Sequence, residues 1–167
     1  MSKYWRSSRE CQIDQVKPEI KQALQNYFQQ YNPEGVDTEC LLCCETVSKK
    51  IDEGLADWMD DQEAELTTVI VLTSHSLVWA LATEKKGVRV IGAELINIQA
   101  KAHVAFFSKE LGLEINGWIN NSKSKIHGVI ALGPEAVAQK LCDEVHQLIE
   151  KVNPTPTRKF PAWMGGR

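Results

Sequence analysis

No run of about 18 apolar residues occurs in this chain, so no segment is expected to cross a membrane as a helix. A basic excess is also missing. The 19 Lys and Arg are outnumbered by 22 Asp and Glu, for a net charge of −3. Nucleic-acid-binding domains carry a strong positive balance, so nucleic acid is not expected as a partner. There is no GxGxxG or Walker-type loop to cradle a phosphate. The opening residues, MSKYWRSSRECQ, lack the apolar core of a signal peptide. Five cysteines, an odd count, then predict reduced thiols in a cytoplasmic protein.

What is present centres on residues 67–102. Val69, Ile70, Val71 and Leu72 follow two threonines, a β-branched run apolar on both faces. Such a run predicts a strand buried on both sides. After Ser74 and His75, Leu77, Trp79 and Leu81 alternate with Val78, Ala80 and Ala82 as a second strand. Glu84-Lys85-Lys86-Gly87 is a hairpin turn, with Gly87 placed for a positive φ. Val88 to Ile91 form a third strand, Gly92 marks a bulge or bend, and residues 95–98 continue the sheet.

Around this centre, residues 1–15 are polar and aperiodic, which predicts a frayed tail; the alternative is a docking arm around Tyr4 and Trp5. Pro18 opens a helix whose apolar stripe is Ile20, Leu24, Phe28 and Tyr31. Residues 39–51 read as a strand. Residues 103–108, 113–119 and 126–132 read as three more. Gly133-Pro134-Glu135 begins a second amphipathic helix with Val137, Leu141, Val145, Leu148 and Val152 in line.

Candidate chemistry is sparse. Cys40-x-x-Cys43 beside Cys44 lacks the second ligand pair of a zinc site, since Cys11 and Cys142 are isolated in sequence, and so reads as core packing. Residues 52–65 carry seven acids and no base. Within them Asp57, Trp58, Asp60 and Asp61 are a candidate partner surface; the 12-residue pattern of a calcium loop, which fixes the places of its glycine and terminal glutamate, is missing. Lys85, Lys86 and Arg89 form an alternative basic hairpin for anionic surfaces. In the proline- and glycine-rich tail, Phe160, Trp163 and Met164 are a second candidate docking motif beside Arg158 and Lys159. Ser74-His75-Ser76 reads as a polar turn, and His103, His127 and His146 as isolated edge or surface residues. No catalytic residue and no metal ligand is nominated.

The order of about seven strands and one long C-terminal amphipathic helix is that of a pleckstrin-homology-like barrel. Leu72-Thr73 at a strand end, Trp79 in the next strand, Gly87 in the turn and Leu95 with Ile98 beyond resemble bacterial PH-like and GRAM-like domains, over residues 39–152. The resemblance implies an α+β, mainly β fold: an antiparallel barrel capped by the C-terminal helix, with the N-terminal helix outside the pattern. The chain then divides into a tail and helix at 1–35, the β-domain with its helix at 36–152, and a flexible tail at 153–167. It further implies a binding or oligomerisation module without catalysis or cofactor, with a protein or a second copy as partner. Phosphoinositides bind eukaryotic relatives at a basic loop between the first two strands. Here that loop is acidic, which disfavours an anionic membrane surface.

Overall fold

Eight strands and two long helices make up the described residues of the computed structural model, which are 4–32, 39–51, 64–106, 109–120 and 124–154. In chain order they are β1 (Tyr4–Glu10), α1 (Pro18–Tyr31), β2 (Leu42–Lys50), β3 (Glu65–Leu72), β4 (Ser76–Thr83), β5 (Gly87–Glu94), β6 (Ile98–Val104), β7 (Leu111–Trp118), β8 (Lys125–Ala131) and α2 (Ala136–Val152). Strands β1 to β5 form one antiparallel sheet in sequence order, and β6 to β8 form a second. The fold is α+β and mainly β.

The large sheet is covered on both sides. Ile70, Leu72, Trp79 and Ile91 point into the larger core, which is shared with Leu113 and Ile115 of β7 and with Leu141 and Val145 of α2. Val69, Val71, Val78 and Ala80 point the other way, against Ile20, Leu24 and Tyr27 of α1. This is why the β3 sequence is apolar at every position from Val69 to Leu72: alternate side chains enter two different cores. A 3-10 turn at Leu95–Asn97 carries the chain from the first sheet to the second.

Several expectations are corrected. The supposed frayed tail is β1, paired with β2 from Tyr4↔Lys50 to Glu10↔Cys44. Its polar side chains bond across the sheet, which a hydrophobic pattern does not register: Ser8 Oγ lies 2.6 Å from Thr46 Oγ1 and accepts from the Gly133 N–H at 2.8 Å. Residues 95–97 do not continue the sheet. The strand after them ends at Val104 rather than running to 108, and residues 107–108 lie outside the described residues.

Both helix stripes pack on the cores as expected, but the fully buried line is shifted, with Phe28 of α1 and Val137, Leu148 and Val152 of α2 only partly buried. In α1 the buried residues are Ile20, Leu24 and Tyr27, while Tyr31 is exposed. In α2 they are Ala138, Leu141, Cys142, Val145 and Ile149. That helix starts at Ala136, not at Pro134. Gly92 is not a bulge, since it pairs in register with Val78. Gly87 does take the positive φ expected of it, +69°.

Candidate functional site

A cavity of about 290 Å³ lies between the two sheets. Trp79, Leu81 and Ile91 of the large sheet form one wall, and Ile115, Ile126 and Ile130 of the small sheet the other. Tyr4 and Arg6 of β1 also line it, with the Arg6 guanidinium ion-paired to Glu110. β8 is an edge strand, hydrogen-bonded to β7 alone among the strands described. None of its residues is fully buried. Ile126, Gly128 and Ile130 line the cavity, and a Cβ added at Gly128 would meet nothing within 4 Å. The arrangement is an apolar hollow beside an edge strand, with one paired charge at its border. It suits an apolar group held by shape and desolvation.

The outer face of the small sheet carries a charge knot. Glu114 of β7 takes Lys101 at 3.7 Å and His103 Nδ1 at 3.4 Å from β6, and His127 Nε2 at 3.2 Å from β8. The His127 hydrogen bond, with help from Lys101 and His103, holds the Glu114 carboxyl below its ordinary range. His103 and His127, isolated in sequence, therefore meet one carboxylate. The signal missed was register, because each neighbouring strand offers an outward side chain to the same position of β7. Beside the knot, Trp118 and Val129 are about half exposed, and the Lys125 ammonium lies 5.3 Å from the Trp118 ring centre. Among the described residues no group of His, Cys, Asp or Glu is arranged to hold a metal ion.

Of the expected site residues, Lys85 and Lys86 sit in the β4–β5 turn and Arg89 lies exposed on β5. They do not make a purely basic surface. The hollow beside Lys85 is lined as well by Lys17, Glu19, Glu65 and Glu84, so both signs are interleaved. Asp57, Trp58, Asp60 and Asp61, together with Phe160, Trp163 and Met164, lie outside the described residues. Ser74 and His75 occupy an exposed turn, with Ser74 Oγ 2.8 Å from His75 Nδ1.

The cysteines depart from the packing expectation in part. Cys43 and Cys44 are buried and Cys40 is exposed. Cys11 is not isolated: its Sγ lies 3.3 Å from that of Cys43. A second long-range tie joins the chain's beginning to its last helix. Glu135, just before α2, accepts from the Ser8 N–H at 2.7 Å and the Ser7 hydroxyl at 2.9 Å.

Compared with family models, curated proteins and solved structures, the chain matches none of them. Among the described residues, no helix is long and apolar enough to cross a membrane.

Proposed function

We propose that this chain is a non-catalytic, pleckstrin-homology-like binding module that takes an extended segment of a protein partner, or of a second copy, against edge strand β8. Seven strands in chain order, β2 to β8, divided between two antiparallel sheets and followed by α2, support the PH-like reading. The observation that carries the binding role is the apolar cavity bordering β8. An edge strand offers main-chain donors and acceptors for strand addition. The cavity behind Gly128 adds a place for one apolar side chain, which supplies specificity that the main chain cannot.

Gly128→Leu is the direct test. The new side chain enters open space and occupies the hollow, so the fold is retained while the pocket is lost. The full chain and the variant are compared by light scattering and by affinity capture from native lysate. Self-association, or a captured partner, that weakens at least about tenfold in the variant supports the proposal; burying one leucine-sized side chain is worth about that much. A variant that keeps the same mass and the same partner at undiminished affinity removes the cavity from the mechanism.

A further inference from the structure

Unassigned chemistry lies where the chain leaves β1. Continuing the β1–β2 register by one residue sets Cys11 opposite Cys43, and the Cys11 N–H donates to the Cys43 carbonyl at 3.0 Å. Opposed residues of this hydrogen-bonded kind have Cα atoms about 5.5 Å apart, close to the usual span of a disulfide. Their Sγ atoms are already 3.3 Å apart. Both side chains are buried in the smaller core, under α1.

Cys40 supplies access. It is exposed, and its thiol shares a hydrogen bond with Cys43. That bond, helped by the Leu42 backbone and opposed by partial burial, lowers the Cys40 thiol to about 7. Cys43 is shifted the other way, by its hydrogen bonds to Cys11 and Cys40 and by burial. Cys43 thus lies between the two other sulfurs, and either member of the Cys11–Cys43 pair can donate. Packing alone gives a different pattern. Cys44 and Cys142 are buried thiols pushed up to about 11, chiefly by desolvation.

We propose that Cys40, Cys43 and Cys11 form a thiol–disulfide exchange site for low-molecular-weight disulfides of the glutathione class, with the Cys11–Cys43 disulfide as its oxidised product. The exposed Cys40 thiolate attacks one sulfur of the small disulfide; the S–S bond breaks and one small thiolate leaves. Cys43 attacks the Cys40 sulfur of the mixed disulfide and expels the second small thiolate. Cys11 then attacks the Cys43 sulfur, and Cys40 leaves as the thiolate it began as. Two protein thiols lose two electrons, the small disulfide gains them, and the two thiol protons end on the two small thiols. The product bond staples the end of β1 to β2. A dithiol reductant reverses it.

The reduced full-length chain is incubated with oxidised glutathione at neutral pH. Released glutathione is assayed, and non-reducing peptide mapping by mass spectrometry locates the disulfides. The expected result is two equivalents of glutathione released, Cys11 linked to Cys43, and Cys44 and Cys142 still thiols. Cys40→Ser should reach the same product about tenfold more slowly or worse, because the buried pair must be attacked directly. Cys11→Ser should stop at a Cys40–Cys43 link. Since Cys40 is exposed, its serine variant leaves the core intact, and the rate comparison stands whether or not the Cys11 variant folds. A lasting glutathione adduct on Cys40, an unchanged rate without Cys40, or thiols that stay reduced would each overturn the proposal.

Discussion

At Gly92, the missing side chain is what lets α1 lie on the sheet. An added Cβ would sit 2.2 Å from the Tyr27 hydroxyl oxygen and within 3 Å of two ring carbons. Tyr27 is buried, its hydroxyl accepts from Asn120 Nδ2 at 3.2 Å, and the Asn120 N–H donates to the Gly92 carbonyl at 2.8 Å. Gly92→Ala should cost about 1–3 kcal/mol by urea unfolding, the usual cost of overpacking. Combined with Tyr27→Ala it should cost about 1 kcal/mol less than the two single changes summed, because the clash is then gone. Strict additivity would mean that Tyr27 does not press on Gly92. Glu135 is a second point of this kind. Burial alone would raise its carboxyl, but the Ser8 N–H, its own N–H and the Ser7 hydroxyl hold it below the usual range. Its contribution is therefore complete above the unfolded pKa, about 4.3, and is lost as pH falls through the lower folded value. Glu135→Gln should destabilise by about 1–2 kcal/mol at neutral pH. The gap to the unaltered chain should close as the solution is acidified below the folded pKa; a gap that persists in acid would assign the effect to shape rather than to charge.

Among the elements, β1 shows most clearly what a hydrophobic pattern overlooks. Its burial alternates weakly, and the one buried residue is Ser8. What holds it is a full ladder to β2 and the Ser7, Ser8 and Glu135 bonds. The N–H groups of β1 that face β2, and that of Cys11, should exchange with deuterium as slowly as those of β2. Exchange within seconds across residues 5–10, measured by mass spectrometry, would return this segment to a frayed tail. β3 is the opposite case. Four consecutive apolar residues made it legible in sequence, because the two faces of its pleat meet two cores. The helices lie between these cases. Their amphipathic period was legible, but the line of full burial was not. Tyr27 can turn inward because Gly92 leaves room for it.

Taken as a whole, the molecule has one large sheet between α1 and a second core, and one small sheet whose outer face is polar apart from residues such as Trp118 and Val129. Its charge is distributed in the same mixed way. Lys17 and Lys49 both approach Glu65, at 3.7 and 3.6 Å, and Glu19 and Glu84 share the hollow with Lys85. Basic side chains paired with acids at a surface contribute little attraction to an anionic membrane. Reversing charge at Lys85, Lys86 and Arg89 together should leave sedimentation with phosphatidylserine vesicles at the level of the unaltered chain. Salt-sensitive binding that the triple variant abolishes would restore the basic hairpin as a membrane site.

The sequence by itself determined the antiparallel, mainly β character, the double-sided burial of β3, the hairpin at Gly87 and the presence of two amphipathic helices. Each depends on periods and turn chemistry carried by a few neighbouring residues. Only the tertiary structure decided the rest. Cys11 meets Cys43, 32 residues away, and Glu114 gathers His103 and His127. Ser8 meets Glu135 at a separation of 127, and Ile126 and Ile130 face Trp79 across a cavity. These contacts depend on which strands pair and in which register. A one-residue slip would turn every one of those strand side chains to the other face, and no local pattern records that choice.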